Sequence, residues 1–191
     1  MKLKVDDFLK NIKEHISKDV KTIGIAGGSG SGKTFVAKKI SEALGLRMIS
    51  LDDYIIPEKI KSSDNWELPE IWDLKLVREN LEALSRGESF AKPCYSFITG
   101  EIGYFEDISS DDSYVLEGLY ALDDSLADLT DLKIFVDVDE NVRLIRRISR
   151  DQKTRSENSE QIIYRWENTI QLTFLKYVEP QKERANFVLT S

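Results

Sequence analysis

The chain has 191 residues, with 34 acidic side chains against 27 basic ones and a formal net charge of −7, so it holds one core and lacks the basic surface that unspecific nucleic-acid binding needs. One Cys and one His exclude an internal disulfide and a Cys/His zinc site. No run of 18 apolar residues suggests a membrane span, and the charged start from Met1 to Asp7 lacks a signal-peptide pattern, so a cytoplasmic protein without a membrane partner is expected.

From Leu3 to Ile16, apolar Val5, Phe8, Leu9, Ile12 and Ile16 recur at helical spacing and predict an amphipathic helix. Thr22 to Ala26 is a short buried-strand run, followed by a glycine-rich turn and a helix from Phe35 to Leu44 that Gly45 can end. Arg47 to Leu51 predicts a second strand, leading into Asp52, Asp53 and Tyr54 and then a polar loop through Asn65. Leu74, Val77, Leu81 and Leu84 mark a helix, and the aromatic residues with Gly100 and Gly103 between Pro93 and Phe105 predict a hairpin. Tyr114 to Leu116 and Leu132 to Val136 read as central strands. Asp139 is placed to cap a helix running to about Asp151, and Ile163, Trp166, Ile170, Phe174 and Tyr177 share a stripe on a second long helix, limited by Pro180. Ala185 to Leu189 could add a last strand, and the polar stretch from Gln152 to Glu160 is the candidate lid. Strands alternating with helices predict a single-domain α/β fold, a parallel sheet covered on both faces, with ligands beyond the carboxyl ends of the strands.

The strongest motif is Gly27-Gly28-Ser29-Gly30-Ser31-Gly32-Lys33-Thr34, which satisfies G-x-x-x-x-G-K-S/T and lies between a predicted strand and a predicted helix. Its glycines let successive N–H groups point at phosphate oxygens, Lys33 reaches the β/γ-phosphates, and Thr34 is suited to hold Mg²⁺. This makes a nucleoside triphosphate the expected ligand. No Asn-Lys-x-Asp stretch of a small GTPase occurs. Asp52 and Asp53 follow a strand, where a carboxylate can take the proton of an attacking hydroxyl, although a strand-end or capping pair would look the same. Glu117 ends another strand and could hold the metal, while Asp137 and Asp139 read as turn and cap acids. Arg143, Arg147 and Arg150 share one helix face, with Arg146 beside them, a pattern suited to phosphate charge.

Together these segments resemble the uridine kinase and phosphoribulokinase family of P-loop kinases, from about Thr22 to Val188. The stretch from Ile49 to Tyr54 resembles the segment carrying the catalytic aspartate, here Asp52. Asn65-Trp66-Glu67-Leu68-Pro69 is similar to the uridine-kinase Asn-Phe-Asp-His-Pro, and Pro93-Cys94-Tyr95-Ser96-Phe97 to the Pro-x-Tyr-Asp-Phe hairpin. Glu117-Gly118, the helix from Arg143 to Asp151, and Pro180-Gln181-Lys182 follow in the family's order. The resemblance implies a three-layer P-loop kinase using ATP and Mg²⁺ on a small-molecule acceptor, and leaves a homo-oligomer open. It makes Asp52 the base and a metal neighbour with Thr34 and Glu117. Lys33, Arg147, Arg150 and Arg155 would be the phosphate contacts, and Asp52, Tyr54, Glu67, Tyr95 and Phe97 the acceptor contacts. The departures fall on the acceptor side: Glu67 for an aspartate, Leu68 for a histidine, Ser96 for the hairpin aspartate, Gly100 at a base-contacting histidine, and Glu157 at the lid's second arginine. A nucleoside such as uridine or cytidine is the leading acceptor. Nicotinamide riboside, pantothenate and sugar phosphates follow, and an ATP-binding switch is the reading from another class.

Overall fold

The computed structural model describes every residue except Lys18, Ser110, Asp112, Ser156 and Ser191; the side chains of Thr154 and Arg155 also lie outside the described set. In chain order the elements begin β1 (Lys2–Lys4), α1 (Val5–Lys10), α2 (Ile12–His15), β2 (Thr22–Gly27), α3 (Lys33–Leu44) and β3 (Arg47–Ser50). A 3-10 turn over Leu51–Tyr54 leads to α4 (Pro57–Ser62), α5 (Leu74–Ser85), the hairpin strands β4 (Phe90–Ser96) and β5 (Glu101–Ile108), and then β6 (Tyr114–Glu117) and β7 (Leu132–Asp137). The chain closes with α6 (Glu140–Arg155), α7 (Ser159–Arg165), α8 (Gln171–Thr173) set between two π-helical turns, and β8 (Phe187–Thr190).

Six strands form one parallel sheet in the order β1-β8-β7-β2-β6-β3. Consecutive β2 and β3 are separated by β6, so the chain crosses over between them and α3 covers one face. On that face α1, α2 and α3 bury Phe8, Ile12, Ile16, Val36, Ala37 and Ile40 against Ile23, Ile25 and Val115. On the other, Leu51, Tyr54, Trp72, Val77, Leu81, Tyr120 and Phe174 close a second core. Near-continuous apolar strands such as Ile23 to Ala26 are what a sheet covered on both sides requires. The three-layer α/β expectation therefore holds.

Four local expectations are corrected. The leading helix from Leu3 to Ile16 is a short strand followed by two helices. Lys2 to Lys4 pair with Val188 to Thr190, because the open edge of β8 offers N–H and C=O groups that a parallel strand satisfies, and the helix breaks at Asn11. Leu51 leaves β3 for the turn that carries Asp52 and Asp53. The hairpin is longer than Pro93 to Phe105, with a bulge between Cys94 and Tyr95. Finally, α6 runs past Asp151, so residues 152 to 155 of the expected lid continue a helix and α7 begins at Ser159.

Lys92, only 3% exposed on β4, joins the hairpin to the turn: its ammonium pairs with Asp53 and lies 3.3 Å from Glu106. Desolvation opposes the charge, and the hydrogen bond that Lys92 donates to Asp53 outweighs it together with the Asp53 charge and Cys94, holding the Lys92 pKa above its usual value. Asp53→Asn is expected to cost about 1–2 kcal/mol in chemical denaturation, since the buried cation keeps Glu106 as its remaining carboxylate and Cys94 as a weak acceptor, whereas Lys92→Met is expected to be near neutral, because Asp53 and Glu106 are part-exposed and can be hydrated. Equal losses in both variants would contradict this account.

Candidate active site

The phosphate loop leaves β2, the central strand between β6 and β7. Gly30 (φ 77°) and Gly32 (φ 91°) adopt left-handed backbone, which only glycine tolerates readily, and Gly32 starts α3 by accepting the Val36 N–H through its carbonyl at 3.1 Å. Ser31 N–H donates to the Gly28 carbonyl at 3.1 Å and closes the curl.

Register places the acids. Glu117 is the partner of both Ile25 on β2 and Ser50 on β3, so β3 and β6 end level while β2 runs on to Gly27 and into the loop. Glu117 Oε2 accepts from Thr34 Oγ1 at 3.2 Å and Oε1 from Ser50 Oγ at 2.9 Å. The adjoining Gly118 lets the 3-10 turn approach, since a Cβ there would come within 2.5 Å of Leu51 Cβ. Asp52 N–H donates to Ser50 Oγ at 3.3 Å, which caps that turn.

Asp52 is exposed to solvent, while the protein atoms packed around its carboxylate desolvate it in part. Desolvation raises its pKa; Lys33, the nearby Trp72 indole N–H and Arg150 pull it back, and Asp53 adds to the rise. Trp72 Nε1 is buried and short of full hydrogen-bond geometry with any partner, so it remains a donor facing this acid. Burial likewise raises Glu117, opposed by Lys33 and assisted by Asp52. Lys33 thus acts on both carboxylates. Lys33, Thr34, Asp52 and Glu117, picked out in the sequence, converge; Ser50 and Trp72 join them without having been foreseen. Ser50 stood two residues before Asp52, a capping spacing readable in principle.

The arginines are arranged differently from a free phosphate-binding face. Arg147 is buried: Nη1 donates to Ser29 Oγ at 2.8 Å and to Glu67, and Nε to Asp151 at 3.2 Å. Arg146 Nη1 donates to the Gly30 and Ser31 carbonyls at 3.3 and 3.2 Å. Arg150 is half exposed, pairs with Asp151 at 2.7 Å, and is the arginine whose charge reaches Asp52. The Arg155 side chain lies outside the described residues. Asp139 caps α6 by accepting the Asn141 N–H at 2.9 Å, and Asp137 pairs with Lys182 at 2.5 Å, as cap and turn acids should.

On the acceptor side Glu67 is buried and committed to Arg147, with its backbone carbonyl accepting from the Tyr120 hydroxyl. Tyr95 and Phe97 meet edge to face with centroids 5.1 Å apart on the hairpin, whose strand β4 packs against the turn bearing Asp52. Tyr54 is a correction. It is 1% exposed, and its hydroxyl accepts from Asn80 Nδ2 at 3.1 Å, so it is a core residue and cannot touch an acceptor. The aromatic residue after two acids faces inward because the 3-10 turn directs it beneath the sheet end. Glu157, at the lid position of an arginine, pairs with Arg165, whose guanidinium lies 5.8 Å from the Trp66 ring centroid.

A phosphate loop on the central strand of a parallel sheet, with acids at the adjacent strand ends, defines a P-loop kinase. Residues 22–191 match the family model for the phosphoribulokinase / uridine kinase family, and the chain belongs to that family. A uridine kinase from Alkaliphilus metalliredigens is 37% identical over 179 residues, covering 87% of this chain and 85% of that one; one from Bacillus pumilus is 35% identical over 177 residues, covering 87% and 84%. Among solved structures, a possible uridine kinase from Bacillus stearothermophilus shares the fold with a TM-score of 0.69 at 18% identity over 97% of this chain and 96% of that one. The phosphoribulokinase from Rhodobacter spheroides gives 0.65 at 20% identity, over 91% and 71%. The protein is an ATP-dependent kinase of the uridine-kinase-like kind, in a family that in general uses ATP and Mg²⁺ on a small molecule. Among the described residues no helix is long and apolar enough to cross a membrane.

Asp52→Asn is expected to retain ATP binding and lower kcat by about 10²–10⁴. Lys33→Ala is expected to abolish transfer. Both are read by ADP release, and near-normal turnover in either variant would remove that residue from the chemistry.

Proposed function

We propose that the protein moves the γ-phosphoryl group of ATP to a hydroxyl of a nucleoside, with uridine and cytidine the leading acceptors. The observation that carries this reading is the convergence of Lys33 and Thr34 at the start of α3 with Glu117 at the end of β6 and Asp52 in the turn after β3, beside an aromatic hairpin. Asp52, whose pKa is raised by partial desolvation of its carboxylate, accepts the proton of the attacking hydroxyl as that oxygen bonds to the γ-phosphorus. Lys33 and the loop N–H groups bind the polyphosphate and draw charge toward the leaving oxygen. The oxygen-only donor set of Thr34 and Glu117, with Asp52 close by, suits a hard cation such as Mg²⁺, which supplies charge neutralisation of the phosphates when bound. Arg150, near Asp52 and half exposed to solvent, neutralises phosphate charge with Arg155.

The acceptor half supports a less exacting choice of substrate. Glu67 can offer its carboxylate to ribose hydroxyls only while sharing it with Arg147, and Leu68 and Gly100 have no side-chain hydrogen-bonding group. Tyr95 and Phe97 still present flat faces for a ring. Steady-state ADP release with a panel of acceptors is therefore expected to give weak or broad use of uridine and cytidine. Efficient, exclusive uridine phosphorylation would contradict the reading of the pocket, and absence of any acceptor-dependent release would favour an ATP-binding switch.

The segment from 152 to 160 is proposed as the lid that excludes water once phosphate is bound. Hydrogen exchange is expected to slow there on adding an ATP analogue and acceptor; equal exchange in both states would argue against closure.

A further inference from the structure

Arg143 is an arginine of α6 that the reaction scheme does not use, and its surroundings are unusual. It is 2% exposed, and among the described residues no carboxylate lies within ion-pair distance of it. Nε donates to the Val138 carbonyl at 3.1 Å and Nη2 to Gln171 Oε1 at 2.9 Å, while Nη1 is buried with no hydrogen-bond partner. The guanidinium lies 3.9 Å from the Phe174 ring centroid and 5.1 Å from that of Trp166. Burial pulls its pKa down, against the more distant acids Glu140, Glu67, Asp137 and Glu179. Removing a cation from water without a partner is costly, and such a group is ordinarily paired.

The orphaned Nη1 is turned toward the phosphate loop. A Cβ on Gly28 would stand 2.5 Å from it, and a Cβ on Gly30 would stand 2.3 Å from the Arg143 carbonyl oxygen. Two glycines of the motif therefore make room for Arg143 as well as for phosphate. The nearest candidate counter-ion is held one side chain away: Gln171 accepts from Arg143 and donates through Nε2 to Glu140 at 3.1 Å, so an amide separates the guanidinium from the carboxylate.

We propose that Arg143 is a positioning residue for phosphoryl transfer, one whose unneutralised guanidinium backs the loop at Gly28, keeps its anion-binding curl and adds positive potential to the polyphosphate site from behind. Gln171 preserves that charge by insulating it from Glu140. The inference rests on the loop binding the polyphosphate of ATP.

The test compares displacement of a fluorescent ATP analogue by AMP-PNP and by AMP in the wild type, Gln171→Glu, Arg143→Met and Arg143→Lys, with a thermal melt for each. Gln171→Glu gives Arg143 a carboxylate without removing it. That variant is expected to melt no lower than wild type yet bind AMP-PNP about tenfold more weakly, with a smaller loss for AMP because fewer phosphate charges are affected. Arg143→Met is expected to show the same charge-graded loss and Arg143→Lys partial recovery. Unchanged AMP-PNP affinity in folded Gln171→Glu, or equal losses for AMP-PNP and AMP, would overturn the proposal, and Gln171→Glu decides it even where Arg143→Met does not fold. Failure of the wild type to bind AMP-PNP would instead overturn the nucleotide reading, and this inference with it.

Discussion

The phosphate loop is gripped from behind by the first three turns of α6, and most of the site depends on that contact. Arg143 fills the space that Gly28 leaves open, Arg146 binds the carbonyls of Gly30 and Ser31, and Arg147 binds Ser29 Oγ. Carbonyls held on the outer side leave the N–H groups of the loop directed inward, the arrangement that favours an anion. The same helix carries Asp151, fully buried, which holds Arg147 and Arg150 together. A buried stripe of Arg143, Arg147 and Asp151 therefore replaces the apolar stripe such a helix would ordinarily bury. It couples the loop to the acceptor side through the bond between Arg147 and Glu67.

Sheet register performs the second positioning task. With β6 between β2 and β3, Glu117 stands beside the loop on one side and beside the Asp52 turn on the other. A one-residue slip in a parallel strand would turn Glu117 to the opposite face. The register is fixed by burial of Val115 and Leu116 on opposite sides of the sheet, so packing of the two cores sets the distance between phosphate loop and base.

On the acceptor side, cations and acids occur as neighbours: Arg147 with Glu67, Lys92 with Asp53 and Glu106, Lys61 with Glu101, and Arg165 with Glu157. The last pair explains how an acid is accommodated at a lid position where the family has arginine, since Arg165 supplies the opposite charge from α7. Asp53 shows the same economy of roles. It adjoins Asp52 in sequence but serves to hold the hairpin through Lys92, so two consecutive aspartates divide into one set beside Lys33 and Glu117 and one that fixes a strand.

The sequence by itself determined the layer order, the phosphate loop and the acids at strand ends, because each is a local matter: apolar runs of strand length, glycines at fixed spacing before Lys33, and carboxylates immediately after buried strands. It also carried the cap at Asp139. It did not determine which arginine does what, since helical spacing places Arg143, Arg147 and Arg150 on one face but says nothing of what that face meets. Tertiary packing decided that Arg143 and Arg147 are buried against the loop while Arg150 stays half exposed, and it turned Tyr54 into the core. The edge strand Lys2–Lys4 was equally invisible, because its stability comes from β8, whose paired residues lie 186 positions along the chain, rather than from its own three residues. Local chemistry is written in neighbouring residues; the partner of a buried charge is chosen by whichever distant segment the fold brings against it.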